Sequence, residues 1–123
     1  MIRISDAEFE VMQIIWDKKE ATSQEIINEL KDNHDWNDNT VRTLINRLVT
    51  KKAIEVSKKN GKTYTYAPLI AEGKYKVKRS KGFIGQFFKG SMEDMLFELV
   101  SEEEMSLDDL EVLMDKVKTK FKQ

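Results

Sequence analysis

The sequence predicts a mainly α-helical protein with one small β-hairpin. Apolar residues recur at helical spacing through most of the 123 residues. Ser5, Thr22 and Ser106 are each followed three residues later by an acidic residue, which is the capping-box spacing of a helix start. Near the middle, Asn60-Gly61 separates two alternating segments, which is typical of a hairpin. The three predicted helix starts are Ser5 with Glu8, Thr22 with Glu25, and Ser106 with Asp109.

Three helices are predicted before the hairpin. Trp16 lies on the apolar face of the first helix and is predicted to belong to the core. The polar segment before the third helix is predicted to be a loop, with Trp36 packed back on the core and His34 at the surface. Asn37 or Asn39 is the predicted cap of the third helix. The three helices are expected over about residues 6–17, 23–31 and 38–52.

The third predicted helix differs from an ordinary amphipathic helix. No acidic residue occurs between positions 39 and 54, and the side opposite its apolar stripe carries Asn, Thr and Arg. A solvated helix face usually carries charged residues of both signs instead. The apolar stripe consists of Val41, Leu44, Ile45 and Leu48, and the polar side consists of Asn39, Thr43, Asn46 and Thr50, flanked by Thr40, Arg42 and Arg47.

A two-stranded ribbon is predicted directly after this helix. Asn60 and Gly61 are the predicted turn positions, because both residue types tolerate positive φ. Tyr64 and Tyr66 alternate with threonines, so one face of the second strand can pack while the other stays solvated. Lysines gather near the tip of the ribbon, at Lys58, Lys59 and Lys62.

The chain is predicted to be helical again from about residue 71. In the last helix, apolar residues recur at spacings of 3, 4, 3 and 4, as in a coiled-coil seam. One small domain cannot cover such a stripe along its whole length. A second copy of the chain is therefore the predicted partner, with packing onto the first domain as the alternative. The predicted dimer-interface residues are Phe83, Phe87, Met95, Leu96, Leu99, Leu107, Leu110, Met114, Val117 and Phe121.

Charge is distributed unevenly along the chain. The net charge of −1 and the isoelectric point near 5.9 argue at first against a nucleic-acid partner. However, residues 39–81 contain 12 Lys and Arg against 2 Asp and Glu. The flanking residues 1–38 contain 4 against 10, and residues 82–123 contain 5 against 10. A basic block of this kind sets a local field that favours a polyanion, whatever the total charge.

Three helices followed by a hairpin are the elements of a winged helix-turn-helix, predicted for residues 1–70, with a helical dimerisation domain in residues 71–123. A DNA major groove admits one helix, in which Asn reads adenine and Arg reads guanine or binds phosphate. Flexible lysines on the wing suit the phosphate backbone. The predicted base-reading residues are Asn39, Thr40, Arg42, Thr43, Asn46 and Arg47, and the predicted phosphate-binding residues are Thr50, Lys51, Lys58, Lys59 and Lys62.

Two points about partners stay open. The basic residues between Lys74 and Lys81 are compatible with DNA, with solvent or with a partner subunit. A winged-helix module that docks an acidic protein and never meets DNA is the alternative function.

Other classes of function find little support in the sequence. Cysteine is absent and His34 is the single histidine, so we expect no disulfide and no thiolate or histidine metal site. A Gly-rich phosphate loop and a nucleophile beside a histidine are also absent, so neither an enzyme nor a cofactor is predicted. No apolar run approaches the roughly 20 residues that cross a bilayer, and the first ten residues are acidic, so we expect a cytoplasmic protein.

Two runs of residues resemble a known family. The pattern E-x-x-V-M-x-I-I-W at Glu8–Trp16 and the run T-V-R-T-L-I-N-R-L at Thr40–Leu48 are similar to the penicillinase and methicillin-resistance repressors, a family that also contains copper-responsive repressors. The resemblance covers nearly the whole chain, although the C-terminal third resembles the family in its arrangement of helices more than in its individual residues. It implies a homodimeric transcriptional repressor with interlocked C-terminal helices, bound to pseudo-palindromic operators, with a role in antibiotic resistance.

The resemblance is weakest in the residues that serve induction. In the β-lactam-responsive members, a membrane sensor leads to cleavage of an Asn-Phe bond in the dimerisation region. Glu98-Leu99 occupies that place here, so we do not expect cleavage at the same bond. The copper-responsive members carry paired cysteines near the C-terminus, and this chain has none. The sequence indicates neither an upstream sensor nor a protease.

Overall fold

The computed structural model describes residues 2–122, which contain six helices and three short strands. A mainly α-helical fold with a small β-sheet, as predicted, is therefore confirmed. In chain order the elements are α1 (Asp6–Lys18), β1 (Ala21–Thr22), α2 (Ser23–Leu30), α3 (Asp38–Thr50), β2 (Ile54–Asn60), β3 (Thr63–Pro68), α4 (Glu72–Phe87), α5 (Met92–Ser101) and α6 (Leu107–Phe121).

Side-chain caps fix where the helices begin. At α1, α2 and α6, the cap hydroxyl accepts a hydrogen bond from a backbone N–H, and the acid three residues later accepts one from the backbone of the cap. All three predicted capping boxes are confirmed. Asn37 caps α3, which settles the choice between Asn37 and Asn39, because its Oδ1 accepts from the backbone N–H of Thr40 at 2.8 Å.

The sheet is larger than the predicted ribbon. Within the described residues it has three antiparallel strands in the order β1-β3-β2, because Ala21 and Thr22 pair with Tyr66 and Thr65. The predicted two-stranded ribbon is confirmed as β2 and β3, whereas the third strand, β1, was not predicted for a simple reason. A strand of two residues shows no alternation, and Thr22 also serves as the cap of α2.

The hairpin turn lies one residue later than predicted. Asn60 pairs with Thr63, so the turn residues are Gly61 and Lys62, and Gly61 has a φ of +63°. Positive φ at the first turn position alone is typical of a type II′ turn. β2 also contains a bulge, because the register shifts between Val56 and Lys58.

One unit ends at Tyr75 and contains α1 to β3. Its core receives the four apolar residues of α3, which contacts α1 and α2. Trp16 is buried, as predicted, and its Nε1 donates to the carbonyl oxygen of Ile70 at 3.0 Å. Tyr75 also belongs to this core, where its ring lies 6.2 Å from Phe9 and 6.0 Å from Trp16.

The loop before α3 is partly packed. Trp36 lies against the core, as predicted. His34 is only partly exposed, in contrast to its predicted place at the surface. Its ring stacks on Trp36 with centroids 3.9 Å apart, and its Nε2 lies 2.5 Å from Glu10 Oε2. The Trp36 ring and the Glu10 carboxylate together cover the His34 side chain, and neither contact is evident from the sequence of this polar loop.

A second unit begins at Lys76 and contains the rest of α4 with α5 and α6. The predicted division into a DNA-binding domain of residues 1–70 and a dimerisation domain of residues 71–123 stays a prediction. Within this unit, Ile84 is buried, whereas α5 and α6 contain no buried residue in the described part of the chain.

Glu8 is a buried acid near the start of α1. Its Oε1 accepts hydrogen bonds from the backbone N–H of Ser5 at 2.8 Å and from Lys51 Nζ at 2.6 Å, and Lys51 Nζ also donates to the carbonyl oxygen of Arg3. Burial alone would raise the pKa of Glu8. The hydrogen bonds from Lys51 and Ser5 and the charge of Lys51 outweigh burial and lower this pKa.

Replacing Glu8 with Gln should lower the free energy of unfolding near neutral pH by about 1–3 kcal/mol, because Lys51 loses a charged acceptor. Since the pKa of Glu8 is lowered in the folded state, its contribution is present above the pKa of the unfolded chain and is lost as the pH falls through the folded-state pKa. Urea denaturation in neutral and in acidic buffer should show a difference between variant and wild type that shrinks in acid.

The matched control for this experiment is Glu29→Gln. Glu29 is paired with Lys18 at 3.1 Å, but its carboxylate is about half exposed whereas that of Glu8 is buried, so we expect a loss below about 1 kcal/mol. Equal losses for the two variants would contradict a special role of the buried Glu8 carboxylate.

Candidate nucleic-acid interface

The outer side of α3 is a continuous polar surface. Val41, Leu44, Ile45 and Leu48 are buried, and this fixes the rotation of the helix about its axis. The polar side therefore faces away from the core. All seven predicted residues on it are exposed: Asn39, Thr40, Arg42, Thr43, Asn46, Arg47 and Thr50.

Two threonine hydroxyls on this surface donate to the helix backbone. Thr43 Oγ1 donates to the carbonyl oxygen of Asn39 at 2.9 Å, and Thr50 Oγ1 donates to that of Asn46 at 3.0 Å. Each hydroxyl has one proton, so these side chains offer a partner their methyl group and their oxygen lone pairs. A thymine methyl or a donor on a base edge is the matching chemistry.

The hairpin places its three predicted lysines in solvent. Lys58 lies 3.2 Å from Glu20, an exposed pair that contributes little to stability. Lys59 lies over the ring of Tyr64, with its Nζ 5.5 Å from the ring centroid. Lys62 occupies the turn itself. We call this hairpin the wing.

Lys51 is a predicted phosphate-binding residue that is also paired within the protein. Its ammonium is held by Glu8 and by the carbonyl oxygen of Arg3, so it is already engaged within the protein. This contact was not predicted, because the partners are 43 residues apart in the sequence. One signal was available, since Glu8 shares the helix face of Val11 and Ile15, which the core buries.

A small cleft separates α3 from the wing, with a volume of about 200 Å³. We call it the wing cleft. Of its lining residues, Arg42, Asn46 and Lys62 are predicted to bind DNA, whereas Ser23, Tyr64 and Tyr66 have no predicted role. Burial, together with the neighbouring Tyr64, raises the pKa of Tyr66, so its hydroxyl keeps its proton near neutral pH. The described residues that line the cleft are Ser23, Arg42, Ile45, Asn46, Lys62, Tyr64 and Tyr66.

The second unit leaves large apolar side chains exposed. Phe121 is 72% exposed and Leu107 67%, whereas Met95, Leu96, Leu99 and Leu110 are half-buried. Glu98 is exposed and precedes Leu99 within α5. Further exposed apolar residues, outside the predicted interface, are Met92, Phe97, Val112 and Leu113.

Comparison with known proteins places these features in one family. Residues 4–119 match the family model described as penicillinase repressor. The chain belongs to the penicillinase repressor family. This confirms the family that its sequence resembles.

The penicillinase repressor family supplies relatives along most of the chain. The methicillin resistance regulatory protein MecI of Mammaliicoccus sciuri is 43% identical over 110 residues, which are 89% of each chain. The penicillinase repressor of Bacillus licheniformis is 32% identical over 111 residues, which are 90% of this chain and 86% of that protein.

Two solved structures resemble the N-terminal part of the chain. The DNA-binding domain of the repressor BlaI is 38% identical, with a TM-score of 0.55 over 60% of this chain and 89% of that domain. The monomeric form of Bacillus licheniformis BlaI in complex with the blaP half-operator is also 38% identical, with a TM-score of 0.53 over 61% and 92%. The predicted winged helix-turn-helix is confirmed. None of the helices described between residues 2 and 122 is both long and apolar enough for a membrane span.

Replacing Gly61 with Ala should destabilise the protein by about 1–2 kcal/mol, because an L-residue at this positive φ is strained. No atom lies within 4 Å of the added Cβ, so the loss reports backbone strain rather than a clash. Urea denaturation measures it.

Gly73→Ala is the control for the turn variant. Gly73 lies in α4 without positive φ and with equally open space, so Ala there should stabilise by about 0.4–1 kcal/mol. A neutral effect of Gly61→Ala would contradict the assigned turn.

Proposed function

We propose that this chain is a DNA-binding transcriptional repressor that holds its operator as a homodimer. The observation that carries the proposal is the outer side of α3, where exposed Asn, Thr and Arg residues stand beside a lysine-bearing wing. Membership of the penicillinase repressor family supports it, as does the relative whose structure was determined with a half-operator. Such a protein acts in the cytoplasm, where its operator is.

The exposed residues of α3 divide by chemistry. Asn39 and Asn46 offer paired donors and acceptors that match adenine, and Arg47 matches guanine. Thr40 and Thr43 suit thymine methyls. Lys58, Lys59 and Lys62, with Thr50 at the end of the helix, suit phosphates, which position the protein without reading sequence. Lys51 keeps its pair with Glu8 and is left out of this set.

The homodimer rests on the apolar surface of the second unit. An exposed stripe of this size on a soluble protein marks an interface. The seam residues Leu107, Met114, Val117 and Phe121 are all about half exposed or more, and Leu110 is half-buried. Two copies joined by a two-fold axis would present two α3 helices to two half-sites, which multiplies the specificity of a single short helix.

We do not expect release from DNA to depend on cleavage at the position of the Asn-Phe bond that is cleaved in the β-lactam-responsive members. Glu98-Leu99 stands where those relatives carry the Asn-Phe pair, so the residues at the bond differ. We therefore propose that another signal governs release.

In vitro selection from random duplexes with the full-length chain should recover a sequence with a two-fold repeat. Asn39→Ala should then weaken binding to that duplex by about 1–3 kcal/mol and relax the preference at one base pair in each half-site. Binding to random duplex should stay unchanged, because a base contact adds nothing there. Competition binding at physiological salt measures both.

Asn33→Ala, in the exposed loop after α2, is the matched control and should leave the preference intact. If selection enriched no sequence and an acidic protein surface competed as well as duplex DNA, the interaction-module alternative would replace the repressor.

A double variant Met114→Lys and Val117→Lys should sediment as a monomer, because two charges cannot be desolvated in the seam. Lys118→Ala, a polar position on the same helix, should leave the dimer mass unchanged. Sedimentation equilibrium of the full chain measures both. A lysine variant that kept the mass of the dimer would refute the seam as the interface.

A further inference from the structure

The wing cleft brings together groups from three parts of the chain. Ser23 begins α2, Arg42 lies on α3, and Lys62 and Tyr64 belong to the wing. The side chain of Ile45, which is buried, forms an apolar part of the lining. No single element could assemble this set, so its convergence is a property of the tertiary fold.

The lining has the chemistry of an anion site. Arg42 and Lys62 are cations and donate hydrogen bonds only, while Ser23, Tyr64 and Tyr66 add hydroxyl donors. Among the described residues of the lining, none is acidic. Lys59 adds a further positive charge from above the ring of Tyr64. Ser23 is also the first residue of α2, where the helix dipole favours negative charge.

The acids that are nearest in sequence are occupied elsewhere. Glu25 accepts from the backbone N–H of Thr22 at 2.9 Å in the capping box, and the Thr22 hydrogen bonds lower the pKa of Glu25. Glu20 lies 3.2 Å from Lys58. Asp38, four residues before Arg42 on α3, lies 3.9 Å from Lys31. Because these carboxylates are engaged elsewhere, Arg42 and Lys62 keep their positive charges for a ligand.

We propose that the wing cleft seats one phosphate of the DNA backbone in each subunit, held by Arg42 and Lys62 and by the hydroxyls of Ser23 and Tyr64. This inference rests on the proposed function. It changes the role of Arg42 from base reading to positioning, because a guanidinium bound to phosphate fixes the register of α3 without reading a base. Sequence preference then depends on the other base-reading residues of α3, of which all but Asn46 lie outside the lining.

The test uses the full-length chain and the duplex recovered by selection. Each phosphate of one half-site is replaced in turn by a neutral methylphosphonate, and binding is measured for wild type, Arg42→Gln and Lys62→Gln. Neutralising one particular phosphate should weaken the wild type roughly tenfold, as expected for a charged hydrogen bond. The same replacement should cost each variant clearly less than it costs the wild type, because one of the two charged contacts is already lost while the other remains.

Two variants serve as controls of equal charge. Arg47→Gln on α3 and Lys58→Gln on the wing lie outside the lining, so both should still lose roughly tenfold at that phosphate. Tyr64→Phe removes only a hydroxyl, so neutralising the same phosphate should weaken its binding somewhat less than it weakens that of the wild type. Arg42→Gln should lower the slope of log affinity against log salt by close to 0.9 per subunit and leave base preference unchanged.

Several results would overturn the proposal. The cleft is refuted if Arg42 and Lys62 couple to different phosphates, or if Arg42→Gln relaxes the preference at one base pair. It is also refuted if wild-type binding is sequence-specific but no phosphate shows the coupling. If the wild type binds no duplex at all, the proposed function fails and the cleft fails with it. Both side chains are exposed, so the variants should fold, and thermal denaturation verifies this.

Discussion

Burial of the apolar stripe of α3 is the constraint on which the rest of the protein depends. Val41, Leu44, Ile45 and Leu48 insert among the core residues of α1 and α2, and each such side chain contributes about 1.5–3 kcal/mol when it leaves water. Because a helix is rigid about its axis, this packing also decides which residues face outward. A functional surface and a hydrophobic core are thus two sides of the same 13-residue helix.

Local interactions made most of the fold predictable from the sequence. Ser5, Thr22 and Ser106 mark helix starts because each forms its capping box with a residue three positions away. Interactions between distant residues left no such trace. β1 has only two residues, too few to show alternation of apolar and polar side chains. Glu8 and Lys51 are 43 residues apart in the sequence. The turn was misplaced by one residue, since a glycine suits either central position of the two common hairpin turns.

The candidate site divides in the same way. The outer side of α3 follows from helical periodicity, so all seven of its residues could be named in advance. The wing cleft could not, because Ser23, Arg42 and Tyr64 come from different elements and meet only in the folded chain. Average charge was a poor guide as well. The net charge of −1 gives no sign of the basic block in residues 39–81. Within that block, the residues that are available to a ligand depend on which of them already have a partner, as Lys51 has in Glu8.

The bulge in β2 determines which wing residues share a face. Tyr64 and Tyr66 lie on one face of β3, and their partners across the ladder are Lys59 and Val56. In a regular strand, positions 56 and 59 would point to opposite faces, because side chains alternate. The extra residue, Ser57, resets that alternation, so that an apolar contact at the base and a cation at the tip stand on the same side. The length of this strand is therefore under stronger constraint than its composition. Exchanging one polar residue for another leaves each side chain on its present face. Losing one residue would move the side chains at the tip of the wing to the opposite face.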